Sequence, residues 1–178
     1  MDLPLVAMHE VESCEKPCFY IRHDVDHSIE RALSIASVEQ QNGYHATYFL
    51  LPPGSYPGKD GNTNYYGTID SSGTIVHDDT LADNCKKLID LGHSIGFHND
   101  LVSLSLSTGV SPANLLEREV DWFDNQGLTL KGTAAHGSPM ARELKFNNRE
   151  LFNGCIRDGW VEGRTVRLNG NEVELHSL

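Results

Sequence analysis

Cys18 to Ser28 reads CFYIRHDVDHS, and the fold class follows from this stretch. Cys18–His23 is aromatic and β-branched, the composition of a short strand. The run breaks at Asp24-Val25-Asp26-His27, and Ser28 is a preferred helix N-cap because its hydroxyl accepts from a free backbone N–H. Beyond it Ile29, Ala32, Leu33, Ala36 and Val38 recur at helical spacing to about Asn42, where Gly43 ends the helix. A strand that passes into a helix through a few polar residues opens a βα unit.

The same alternation continues outward. His45–Leu51 (HATYFLL) is a second strand, closed by Pro52-Pro53. A helix starts at Asp78 or Asp79, carries Leu81, Cys85, Leu88 and Ile89 on one face, and ends at Gly92. His93–His98 (HSIGFH) is a third strand. Ser111-Pro112 starts another helix, since Pro is tolerated where no helical partner exists for its nitrogen; Leu115, Leu116, Val120 and Phe123 follow and Gly127 closes it. Leu128–Ala135 is a fourth strand, ending at His136. Residues 143 to 158 hold one or two short helices, and TVRL-NG-NEVEL is a hairpin across Asn169-Gly170. Residues 52 to 79 form a long connection in which NYYGTID and GTIVHD pair across Ser71-Ser72-Gly73; connections of this length are usually functional. Strand–helix alternation with short turns predicts parallel strands and an α/β fold, read as one domain over 1–178.

Composition narrows the function. The 178 residues include 14 Lys plus Arg against 25 Asp plus Glu, a formal charge of −11. That balance argues against a nucleic-acid or anionic-membrane partner, which needs clustered cations. No run approaches the roughly 20 apolar residues of a membrane span. Met1–Glu10 shows no basic segment followed by an apolar one, so a cytoplasmic location is expected. Cys14, Cys18, Cys85 and Cys155 form no C-x-x-C pair and are read as reduced thiols.

In parallel α/β folds chemistry gathers at the C-terminal ends of the strands. That rule selects Asp24 and Asp26 after the first strand, His98 and Asp100 at the third, and His136 at the fourth. Asp24 and Asp26, two apart, face one side of a strand. Two close carboxylates repel unless a metal or a proton separates them, so a division of labour is expected, one on a metal and one acting as base. Carboxylate plus imidazole suits zinc, iron, cobalt or manganese. Arg22 and His27 flank the pair as candidate substrate contacts, and Tyr56, Tyr65 and Tyr66 of the long connection lie on the same rim, placed to stack on substrate or to pin the loop. His93, at odd spacing from His98, points the other way and is read as structural.

IRHDVDHS, GHSIGFHND and AHGSP, in this order, resemble the polysaccharide deacetylases, carbohydrate esterases of family four, over roughly Cys18 to Pro139. The resemblance implies a distorted parallel (β/α) barrel, here short and with a hairpin-containing insertion, and removal of N- or O-acetyl groups from a carbohydrate with a divalent metal, most simply zinc. It makes Asp24 the catalytic base and Asp26 and His98 metal ligands. The family's second motif has another His four residues after the first, where this chain has Val102; Asp100 is the expected third ligand, with His136 the other residue able to complete the set. His136 or His176, in a loose match to the family's last motif (Glu174-Leu175-His176), is the expected acid. The implied substrate is a precursor of a surface polysaccharide. Two other readings are a non-catalytic carbohydrate-binding relative and a glycosyltransferase using Asp24-Val25-Asp26 as a D-x-D motif.

Overall fold

The expected alternation of strands and helices is present in a computed structural model that describes residues 3–54, 65–151 and 164–174. β1 (Ile21–Val25) leads into α1 (Ile29–Gln41), where the Ser28 hydroxyl accepts from the Arg31 N–H and Ile29, Ala32 and Ala36 are buried. Gly43 follows at a φ of 74°, a conformation that costs a residue without Cβ little. β2 (Ala46–Leu50) is buried along its whole length. The long connection contributes a hairpin of β3 (Gly67–Ile69) and β4 (Ile75–His77), which leads to α2 (Leu81–Asp90). β5 (Ser94–Asn99), α3 (Leu101–Thr108), α4 (Pro112–Asn125), β6 (Thr133–Ala135) and α5 (Pro139–Glu143) follow, then a 3-10 turn at Asn148–Leu151. β7 (Thr165–Leu168) and β8 (Asn171–Glu174) form the expected hairpin, with Asn169 and Gly170 at φ 52° and 87°, as its two-residue turn requires.

Four strands make a parallel sheet in the order β1-β2-β5-β6, curled into a half-barrel. Register runs Val25↔Leu50, Leu50↔Phe97 and His98↔Ala134, which brings the C-terminal ends of β1, β5 and β6 to one rim. One apolar cluster lies among the sheet, α1 and α2, around Tyr48, Leu50, Leu81 and Leu88. A second lies among α3, α4, α5 and the β7–β8 hairpin, around Phe97, Leu104, Leu151 and Val166. Among the described residues no helix is long and apolar enough to cross a membrane.

Three elements differ from expectation. β1 begins later and runs further, through Asp24 to Val25, because the backbone of Phe19 bonds instead to Pro4 and Val6. β6 is only three residues rather than Leu128–Ala135; Gly132 sits at φ 153°, and pairing upstream is reduced to Lys131 N–H to Ile95 C=O and Phe97 N–H to Gly132 C=O. α3 is a helix that periodicity does not announce, since Leu101–Leu106 is buried on every side and shows no polar stripe.

Candidate metal centre

β1 delivers Arg22 and Asp24 on one face, and Asp26 lies just past its end. The short link to α1 is capped by Ser28, so the Asp26 carboxylate is not used as a helix cap. Its Oδ1 is buried and has no hydrogen-bond partner, although the side chain as a whole is about a third exposed. Nε2 of His98 lies 3.4 Å from this oxygen and 3.7 Å from Asp24 Oδ2.

The tautomer of His98 is set by its other nitrogen. Nδ1–H donates to the Ala134 carbonyl at 2.9 Å, across the β5–β6 ladder. Burial holds the imidazole pKa below its usual value, against the pull of Asp24 and of that hydrogen bond. The neutral ring therefore turns an Nε2 lone pair toward the lone pairs of two carboxylates. Such an arrangement is repulsive as it stands and attractive around a cation. The orphaned oxygen of Asp26 is a buried acceptor that a bound cation would satisfy.

His136 is the third member. One ligand atom each from Asp26, His98 and His136 can be chosen so that all lie within 4.8 Å of one another. The two imidazoles meet edge to face, with ring centres 5.0 Å apart. One carboxylate and two imidazoles is a donor set that suits zinc and its neighbours.

Asp100 is not in that set, and its expected place as a ligand is corrected. It is fully buried, and both its oxygens are engaged: Oδ1 accepts from the Ser103 hydroxyl at 2.6 Å and the Asn148 amide at 2.8 Å, and Oδ2 accepts from His136 Nδ1–H at 3.3 Å. Asp100 thus stands behind His136 and fixes its tautomer and direction, the usual role of a carboxylate on a metal-binding imidazole. His136, expected either to complete the metal set or to act as the acid, stands among the candidate ligands. Val102 is buried in the apolar core.

The remaining assignments sort by geometry. Asp24 is gripped by Arg22, whose Nε and Nη2 donate to its two oxygens at 2.7 Å each. Arg22, expected to contact substrate, is spent on this fork, and its guanidinium lies over the Phe49 ring at 5.4 Å. His27 is exposed beside the rim. Of the two roles expected of Tyr65 and Tyr66, stacking on substrate and pinning the connection, their internal contacts fit the second. The Tyr66 ring is fully buried against Phe123, its hydroxyl donates to the buried Glu119, and burial drives its pKa well above the ordinary range. The Tyr65 ring packs on the core and its hydroxyl bonds to the backbone of β1. His93 is structural, as expected: Nε2–H donates to Ala36 C=O and Nδ1 accepts from Ala46 N–H. Tyr56, Cys155 and His176 lie outside the described residues.

Sequence reasoning misses Asn148. Its amide donates to Asp100 and to the His136 carbonyl, its Oδ1 accepts from Val102 N–H, and its own carbonyl accepts from Asn99. Nothing local marks it; only its burial reveals it, together with Ser103 and Ser138, whose hydroxyls meet at 3.0 Å. A comparison of the chain with protein-family models, curated proteins and solved structures finds no match.

Proposed function

We propose that this chain is a metal-dependent hydrolase that removes N- or O-acetyl groups from a carbohydrate, as its likeness to the polysaccharide deacetylases implies. One observation carries the reading. A buried, unpartnered Asp26 oxygen faces the Nε2 lone pair of His98, with His136 beside it and a second carboxylate, Asp24, at its edge. The half-barrel, with its site at the strand ends, supports a shortened (β/α) barrel of that family.

Asp26, His98 and His136 would hold the cation. A zinc, cobalt, manganese or iron ion bound there supplies Lewis acidity, polarising an acyl carbonyl and making water a competent nucleophile near neutral pH. Asp24 is a third exposed, so substrate and water reach it. It takes the proton of the attacking water, while the Arg22 fork keeps its carboxylate in one orientation. It can return that proton to the departing amine or alkoxide, which balances the hydrolysis without a separate acid. Asp100 and Asn148 keep His136 aimed.

The missing His at Val102 argues for a non-catalytic relative, but His136 offers an imidazole for the same purpose from another strand. A D-x-D transferase would leave both imidazoles without a role.

The test uses an acetylated chitooligosaccharide and acetate release. Asp24→Asn is expected to keep bound zinc and lose at least about a hundredfold in rate, the scale of general-base catalysis. Asp26→Ala and His98→Ala are expected to lose the metal by elemental analysis. Undiminished turnover in Asp24→Asn rejects the base; full metal content in the other two rejects the centre.

A further inference from the structure

The hydroxyl of Tyr65 enters the last rung of the β1–β2 ladder. It donates to the Val25 carbonyl at 2.7 Å and accepts from the Leu51 N–H at 3.0 Å; that N–H also reaches Val25 C=O at 3.2 Å. The Val25 carbonyl belongs to the same rigid peptide plane as the nitrogen of Asp26. Holding that oxygen fixes the plane, and with it the direction in which the Asp26 side chain leaves the backbone. Asp26 has no cap bond, and its Oδ1 has no donor to orient it. Its aim therefore depends on the backbone more than that of His98 or His136, each held by a bond at its own ring.

We propose that Tyr65 is a positioning residue for Asp26, through which the hairpin insertion sets the geometry of the metal centre. The residue lies one position before Tyr66, which anchors the insertion in the core, and two before the start of β3. The insertion is tied to α4 as well: His77 stacks on Trp122 at 3.7 Å, and the Arg118 guanidinium donates to Gly73 C=O. The element that interrupts the βα alternation thus reaches the end of β1 with one hydroxyl. The proposal rests on the metal-centre reading, not on the identity of the substrate.

Tyr65→Phe deletes only that oxygen. Tyr66→Phe is the control, because it removes a neighbouring buried hydroxyl, the one on Glu119 of α4. Both proteins are titrated with cobalt(II), following the d–d absorption of the bound ion, and both are unfolded thermally. Tyr65→Phe is expected to weaken cobalt binding about tenfold, the low end for loss of a group supporting a ligand, and to alter the band shape at saturation. Tyr66→Phe is expected to lower the melting temperature with affinity and spectrum as in wild type. Wild-type affinity and spectrum in Tyr65→Phe overturn the proposal, as does an equal loss in Tyr66→Phe, which would make the effect one of general loosening. If the unaltered protein binds no cobalt, the metal-centre reading fails and this proposal falls with it.

Discussion

Asn148 ties together the residues behind the candidate metal position. Fully buried, it bonds to Asp100, His136, Val102 and Asn99. Asn148→Ala would leave the Val102 N–H and the His136 carbonyl without these partners in the interior. Removing the partner of a buried polar group costs roughly 1–3 kcal/mol, so a loss of about 2 kcal/mol is expected. Urea unfolding should show it as a lower midpoint with an unchanged slope. Legibility at this scale is uneven. Asp24, Asp26 and His98 stand out because their residue types are costly without a purpose and fall where a strand ends. Asn148 does not, because Asn in an irregular segment is an ordinary turn residue and its burial is a property of the packing.

β5 carries the clearest relation between sequence and element. Gly96 sits within a strand, where glycine is disfavoured unless something approaches closely. A Cβ there would lie 2.5 Å from the Phe49 ring and 2.9 Å from the Gly132 carbonyl. The ring can turn aside, but the carbonyl belongs to backbone bonded to Phe97 N–H. Gly96→Ala is expected to destabilise by about 1–3 kcal/mol, as overpacking does. It should also disturb β6, and so the approach of His136, read as a lower melting temperature together with weaker zinc binding. Helix starts at Ser28 and Ser111 were legible because capping is local chemistry. α3 and the short β6 were not: one is buried all round and the other is cut by backbone geometry at Gly132, and neither leaves a periodic trace.

For the molecule as a whole, the prediction is a ligand-dependent melting point. A group bound only by the folded state stabilises it by about 2.7 kcal/mol at a hundred times the dissociation constant. For a chain of this size each kcal/mol moves the midpoint by about 2–4 °C. Zinc is therefore expected to raise the melting temperature by roughly 5–10 °C in calorimetry. A chelator should reverse the rise, and Asp26→Ala should abolish it. An equal rise in Asp26→Ala would place the zinc elsewhere.

What the sequence by itself determined is the alternation of the four sheet strands with helices, their parallel arrangement and the rim on which Asp24, Asp26, His98 and His136 meet. Each depends on local signals (caps, apolar spacing, strand ends) and on the general rule that chains of this pattern wind one way. Tertiary structure alone decided which of those groups form a donor set. Asp100 is two residues from His98, yet its oxygens turn inward to Ser103 and Asn148, while His136, far off in sequence, comes within reach. The same holds for Arg22, which grips Asp24, and for Tyr65 and Tyr66, whose hydroxyls are used inside. A side chain's role depends on which donors and acceptors surround it, and those partners come from segments that only packing brings together.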